Sequence, residues 1–101
     1  MSQSEDPIFS RGDVAKILNV TPLTIANREK AKKYPEPRRD VNNYRVYTVN
    51  DVLNLQLLTF GILDQRPIIS ILYDKGYQDF KEIQKVLDGA MTRRRGAEVG
   101  R

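Results

Sequence analysis

The chain contains no cysteine, no histidine and no tryptophan among its 101 residues. Without cysteine it forms no disulfide and offers no thiolate, and without histidine it lacks the commonest general base and the commonest zinc ligand. Its apolar runs all fall short of the roughly 18 residues that a membrane-spanning helix needs. We therefore expect a cytoplasmic protein with no membrane contact, no metal, no cofactor and no enzymatic activity.

The positive charge is concentrated in two segments of a chain whose length fits one domain. Residues 28–45 hold seven basic and three acidic side chains, a net +4, and residues 93–101 hold four basic and one acidic, a net +3. The whole chain carries only +4, so the remaining residues are net acidic. Segregated positive charge is expected where a polyanion binds, although a charged face also keeps a protein in solution.

The first part of the chain has the pattern of two short helices joined by a tight turn. Ser10 and Asp13 have the spacing of a capping box, which predicts a first helix over residues 11–18. Thr21 followed by Pro22 predicts the start of a second helix, since proline at the first helical position loses no hydrogen bond. Because so few residues separate them, the two helices must cross steeply, as in a helix-turn-helix.

The second predicted helix extends to Lys32 or Lys33, ahead of two prolines, and Ile25 marks its core-facing side. The opposite side suits the reading of bases in a major groove, and its members are Leu23, Ala26, Asn27 and Lys30. Asn27 is the strongest candidate because an asparagine amide pairs bidentately with adenine, the alternative being an ordinary solvent-facing residue. Candidate phosphate contacts nearby are Arg11, Thr24, Arg28 and Lys33, although Thr24 also suits a packing role and Arg28 also suits packing of its stem along the core edge.

A basic hairpin is predicted after this helix. Residues 38–41 and 44–48 are short extended stretches on either side of two asparagines, which tolerate the positive φ angles of a tight turn. This two-stranded wing is expected to contact the DNA backbone or the minor groove through Arg38, Arg39, Asn42, Asn43, Tyr44 and Arg45. The alternative for Arg45 is a surface ion pair with Asp40 or Asp51, and Tyr47 is expected to pack beneath the wing.

Three further helices are predicted toward the C-terminus. Thr48 and Asp51 repeat the capping-box spacing and open a third helix that ends near Gly61 and closes the core with Val52, Leu53, Leu57 and Phe60. A fourth helix runs from Pro67 to Gly76, and a fifth covers about residues 79–88 and ends at Gly89. The tail of residues 92–101 is nearly devoid of apolar side chains, so we expect it to be mobile, either as a solvated tail or as an arm that reaches DNA.

Two stretches resemble the MerR-like winged helix-turn-helix superfamily: Phe9 to Ile25, and Tyr44-Arg45-Val46-Tyr47-Thr48-Val49-Asn50-Asp51-Val52. The Tyr34-Pro35-Glu36-Pro37 segment resembles the excisionase and AlpA-type branch, which carries no effector domain. The resemblance covers roughly residues 9–60. It implies a mainly α fold with a small two-stranded β wing, in which the second helix and Arg45 bind DNA.

The expected organisation is a flexible N-terminus (1–8), a winged helix-turn-helix (9–62), two C-terminal helices (63–91) and a basic tail (92–101). The expected function is sequence-specific binding of double-stranded DNA by a transcriptional regulator of a bacterium, phage or mobile element, associated with the nucleoid. The C-terminal helices are expected to form a homo-oligomer or to bind a protein partner. Two alternatives stay open: an excisionase-like architectural factor or terminase subunit, and a protein-interaction adaptor.

Overall fold

The computed structural model describes residues 7–99, with the side chains of residues 7–92. Over that range the protein is mainly helical and has a small three-stranded antiparallel sheet. The elements in chain order are β1 (Ile8–Phe9), α1 (Arg11–Leu18), α2 (Pro22–Lys30), β2 (Arg38–Arg39), β3 (Arg45–Thr48), α3 (Val49–Phe60), α4 (Arg66–Asp74) and α5 (Phe80–Val99). In this part of the chain, the helices all lack the length or the apolar character that crossing a bilayer requires.

The two predicted capping boxes are confirmed at the starts of α1 and α3. Ser10 Oγ accepts a hydrogen bond from the Asp13 amide at 3.1 Å, and the Asp13 carboxylate accepts one from the Ser10 amide at 3.0 Å. Thr48 and Asp51 exchange the same two bonds. Each box satisfies amides that the helix itself leaves without acceptors, so the local sequence fixes where these helices begin.

The sheet has one strand more than the sequence predicted. Besides the expected pairing of β2 with β3, β1 lies on the other side of β3, with Ile8 opposite Thr48. Phe9 is fully buried and Pro7 is buried too, so the expectation of a flexible N-terminus is wrong for residues 7 and 8. The rest of that predicted segment, residues 1–6, lies outside the described residues.

The core lies between the sheet and the five described helices, and it includes Val14, Ile25, Leu53, Ile68 and Ile83. The prediction that Leu57 and Phe60 close this core is wrong, because both are exposed and Phe60 retains 51% of its surface. The prediction is confirmed for Val52 and Leu53, which are fully buried, and Val49, Leu55 and Gln56 complete the inward side of α3.

A buried amide fixes the loop between α3 and α4. Gln56 is almost fully buried, its Nε2 donates to the Asp64 carbonyl at 2.7 Å, and its Oε1 accepts from the Asp64 amide at 3.2 Å. The loop backbone is thus paired as it would be with a neighbouring strand. Lys75, at the end of α4, adds an ion pair of 2.9 Å to Asp13 of α1.

The last helix is longer than predicted. Gly89 was expected to end it after about residue 88, but α5 continues through Gly89 to Val99, and so into most of the segment predicted to be a mobile tail. Leu87 and Ala90 are both fully buried, so packing on either side of Gly89 outweighs the roughly 1 kcal/mol that glycine costs inside a helix. The expected end of that tail, residues 100 and 101, lies outside the described residues.

Candidate nucleic-acid interface

The outward side of α2 is open to solvent as predicted. Thr21 caps the helix by accepting from the Thr24 amide at 3.1 Å, and Ile25 is fully buried against the core. This anchoring turns Leu23, Asn27 and Lys30 outward, and Leu23 exposes 68% of its surface. Ala26, between them, is partly buried. The exposed face is narrow and bears one apolar, one amide and one cationic side chain.

The helix ends earlier than predicted, at Lys30 rather than Lys32 or Lys33. Lys32 adopts a left-handed conformation with φ of 65°, and the Lys33 amide bonds back to the Arg28 carbonyl at 2.9 Å. This is a Schellman-type end, which usually has glycine where Lys32 stands. This helix end could therefore not be predicted from the sequence, and the reversal places Lys32 in the lining of the groove beside the wing.

The wing is closed by a well-bonded turn. The Asn43 amide donates to the Asp40 carbonyl at 2.9 Å, and the Asp40 carboxylate accepts from the amides of Asn42 and Tyr44 at 2.9 and 3.0 Å. Asn43 takes the left-handed conformation, with φ of 69°. The two asparagines thus lie in the hairpin end where they were expected, and Val41 stands beside them at its tip.

A groove separates α2 from the wing and brings predicted residues of both elements together. Its cationic lining consists of Arg11, Lys30, Lys32, Arg39 and Arg45, with Ala26, Glu29, Tyr34, Glu36 and Pro37 completing the walls. The lining contains two carboxylates, Glu29 and Glu36. Glu29 is already bound by Arg11 and Tyr47, so it offsets less of the charge of the other lysines and arginines than Glu36 does. The groove is therefore a positively charged channel bordered by the exposed face of α2 on one side and by the wing arginines on the other.

Two of these arginines face each other directly across the hairpin. Arg39 and Arg45 are register partners in the antiparallel pair of β2 and β3. Arg39 donates to the Asn43 carbonyl at 3.2 Å, whereas the Arg45 side chain has no hydrogen bond or ion pair within the described residues. The alternative that Arg45 pairs with Asp40 or Asp51 is thus not found. Like charges placed opposite each other destabilise a hairpin, and a bound anion would relieve that repulsion.

A buried network ties α1, α2 and the sheet together below the groove. Glu29 leaves only 8% of its side chain exposed, forms an ion pair with Arg11, and accepts from the Tyr47 hydroxyl at 2.5 Å. Burial and the Glu29 carboxylate raise the pKa of Tyr47 to about 12. Although burial opposes it, hydrogen bonding with Tyr47 and Glu29 raises the pKa of Arg11 as well. Glu29 therefore sets the position of α2 relative to the wing strand.

Arg28, one of the predicted phosphate contacts, is not among the residues that line the groove. Its guanidinium stacks over the Tyr34 ring, 5.6 Å from the centroid, and donates to the Tyr34 hydroxyl at 2.8 Å. Tyr34 is buried and also bonds Thr59 of α3. The predicted alternative was packing of the Arg28 stem along the core edge; in the structure its guanidinium packs on Tyr34 and links α2 to α3.

Some of the remaining predicted residues have protein partners, and others are exposed to solvent. Thr24 shares a hydrogen bond of 2.9 Å with the Thr21 hydroxyl, which fits the packing alternative, and Arg38 lies 4.0 Å from the Asp51 carboxylate while staying mostly exposed. Lys33 and Tyr44 are exposed, as are both asparagines of the turn. Tyr44 precedes Arg45, so strand alternation turns it to the opposite face of the hairpin. Tyr47 is buried beneath the wing, as predicted.

Sequence reasoning missed Lys32 and Glu29 as parts of this site. Lys32 belongs to it only because the chain reverses at a left-handed lysine, and Glu29 only because Tyr47 and Arg11 converge on it from other elements. Neither arrangement produces a recognisable pattern in the neighbouring sequence. Within residues 7–92, no three His, Cys, Asp or Glu side chains cluster closely enough to hold a metal ion.

Comparison with known proteins assigns no family to this chain. No protein-family model matches it, and a search of curated proteins gave no significant match.

Proposed function

We propose that this protein binds double-stranded DNA in a sequence-specific manner and acts as a transcriptional regulator of the MerR-like winged helix-turn-helix type, in a bacterium, phage or mobile element. The observation that carries the proposal is the cationic groove between α2 and the wing. It combines an exposed helix face that fits a major groove, about 12 Å wide, with two wing arginines on the opposite wall. In a bacterial cell the protein would be found on the nucleoid.

In the proposed complex, one sugar-phosphate strand runs along the groove. Lys30 approaches it from the end of α2, Lys32 from the turn that follows α2, and Arg39 and Arg45 from the wing. Such contacts supply affinity and fix register without reading sequence. The facing arginines support this arrangement, since a phosphate between them replaces repulsion with two charge-assisted hydrogen bonds.

Base reading is assigned to the exposed side of α2. Asn27 has no side-chain partner within the described residues, so its amide is available for the bidentate pairing with adenine that asparagine makes in a major groove. Leu23 and Ala26 complete the face and offer apolar contact, which suits a thymine methyl group.

The experiment that tests sequence reading is selection of bound duplexes from a random DNA pool with the full chain, repeated with Asn27→Ala. The wild type is expected to enrich a defined motif, and Asn27→Ala to lose preference at one position of it. Gln78→Ala removes an exposed amide from the loop between α4 and α5 and serves as the matched control. Failure of the wild type to enrich any motif would refute sequence-specific binding.

The electrostatic part of the proposal is tested by salt dependence. Five phosphate contacts, from Lys30, Lys32, Lys33, Arg39 and Arg45, predict a slope of roughly −4.5 in a plot of log affinity against log salt, at about −0.9 per contact. Lys30→Gln should flatten the slope by about one unit. The matched control is Lys81→Gln, which removes the charge of an exposed helical lysine outside the groove. A wild-type slope near zero would contradict the proposal.

Self-association is part of the same proposal. A single module of this kind buries only about 600 to 1,000 Å² of protein surface on DNA, so useful specificity calls for more than one copy. Apolar side chains suited to such contacts are exposed on the C-terminal helices, at Tyr73 and Phe80, and also at the end of α3. Sedimentation with and without the selected duplex measures the stoichiometry, and binding of one monomer to one site would contradict this part.

A further inference from the structure

The most exposed large apolar side chain of the described residues stands in the most cationic part of the fold. Val41 is 100% exposed and lies at the tip of the hairpin, in the turn that Asp40 closes. Arg38 and Arg39 precede it within three residues, and Arg45 follows on the facing strand. Isolated apolar residues on a surface are ordinary, but one surrounded by arginines is brought against a polyanion whenever those arginines bind.

The turn also holds Val41 in a defined place. Four hydrogen bonds between backbone or side-chain groups of Asp40 and residues 42–44 close the hairpin end, and Arg39 adds a fifth bond to the Asn43 carbonyl. A hairpin end fixed in this way presents its outermost side chain at a constant distance from the groove. Its role is therefore that of a fixed contact rather than of a mobile loop.

Suppose that a DNA sugar-phosphate strand lies in the protein groove and that α2 lies in the DNA major groove on one side of this strand. The DNA minor groove then lies on the other side of the strand. The wing borders the protein groove on the side away from α2 and its tip does not line the groove, so the tip would lie on that side. The minor-groove floor shows only acceptors at A·T pairs, whereas a G·C pair adds the protruding guanine 2-amino group, a hydrogen-bond donor. At a G·C pair an aliphatic side chain meets the protruding amino group and offers it no acceptor, whereas the floor at an A·T pair has no such protrusion and leaves room for the side chain.

From this geometry, and resting on the function proposed above, we infer that Val41 is a second specificity determinant that enters the minor groove and selects A·T over G·C pairs beside the sequence read by α2. The arginines around it reinforce the selection, because narrow A·T-rich minor grooves carry an enhanced negative potential.

The test uses inosine, which lacks the 2-amino group of guanine but keeps its major-groove edge. Each A·T pair of the selected duplex is replaced in turn by G·C and by I·C, and affinities of the full chain are measured at low salt. At one or two pairs apart from those sensitive to Asn27→Ala, G·C should weaken binding about tenfold, in the usual range for one mismatch, while I·C weakens it less than about threefold.

Val41→Ser should reduce the tenfold penalty for G·C at those pairs to less than about threefold, since a serine hydroxyl can accept from the 2-amino group. Ile62→Ser, which changes an exposed aliphatic residue outside the groove, should behave as the wild type does. The comparison of G·C with I·C needs only the wild-type chain, so it stands even if a variant fails to fold.

The outcomes separate the two proposals. If the wild type enriches no sequence and binds no duplex at low salt, the proposed function itself fails. If it binds a selected duplex but every pair tolerates G·C as well as I·C, or suffers equally from both, sequence-specific binding stands and the inference about Val41 is overturned. A penalty at G·C that Val41→Ser leaves unchanged overturns it as well.

Discussion

Replacing Arg45 with threonine should make the free protein more stable and the DNA complex weaker at the same time. Arg45 and Arg39 are opposite each other in β3 and β2, and the Arg45 side chain has no partner within the described residues. Threonine is well suited to a strand, so the substitution removes the repulsion without weakening the hairpin. A residue kept only for the fold would not behave in this way.

The expected magnitudes follow from the two interactions involved. Cross-strand pairs contribute about 0.2 to 1 kcal/mol, and relieving an unfavourable one should raise the melting temperature by roughly 1 to 6 °C in a domain of this size. Losing one phosphate contact should weaken binding about eightfold at 0.1 M salt, since a slope of about 0.9 per contact extrapolates to no benefit at 1 M.

Thermal unfolding without DNA and titration of the selected duplex at several salt concentrations measure the two effects. Arg45→Lys, which keeps the charge, is the control, and it should change neither the melting temperature nor the salt slope appreciably. The reasoning is refuted if Arg45→Thr lowers the melting temperature, or if the variant binds the duplex with the wild-type affinity and slope.

Three further outcomes are expected for the fold that supports the site. Because the pKa of Tyr47 is raised to about 12, protonated Tyr47 stabilises the fold fully below pH 10, and this contribution of about 2 kcal/mol disappears as pH rises toward 12. The Tyr47→Phe variant should therefore have a lower free energy of unfolding at neutral pH. Measured by denaturant unfolding, this free energy should also change less between pH 10 and 12 than that of the wild type. Hydrogen bonds from Ser10 and Lys75, acting against burial, lower the pKa of Asp13, so Asp13→Asn should cost about 1 kcal/mol at pH 7 and nothing in acid well below pH 3.8. Gly61→Ala should destabilise the fold by about 1 kcal/mol and lower the melting temperature by a few degrees, because a φ of 76° is unfavourable for alanine. No neighbouring atom crowds the new methyl group, so steric contact adds nothing to this effect.

The starts of helices were predictable because their signals lie within three residues. Ser10 with Asp13 and Thr48 with Asp51 satisfy amides of their own first turn, and Thr21 accepts from the Thr24 amide while Pro22 has no amide to satisfy, so no distant contact decides the outcome. The exposed side of α2 followed in the same way from the burial of Ile25 and helical periodicity.

The features that the sequence did not predict mainly depend on contacts between residues far apart in the chain. β1 is two residues long and exists because β3 lies beside it, forty positions later in the chain. Gly89 has the composition of a helix end, yet the burial of Leu87 and Ala90 carries α5 past it. The contact of Arg28 with the Tyr34 ring could not be predicted either, because local sequence does not show that the two side chains are neighbours.

The pairing of Gln56 with the backbone of Asp64 has a consequence for any assembly on DNA. It bonds the loop between α3 and α4 to α3, and the Lys75–Asp13 ion pair bonds the end of α4 to α1, so we expect α4 and α5 to keep a fixed position relative to α2. Two copies joined through those last helices would present their reading helices at one invariant separation. Such a dimer would accept target sites whose halves are spaced by whole turns of the duplex and would discriminate against spacers altered by half a turn.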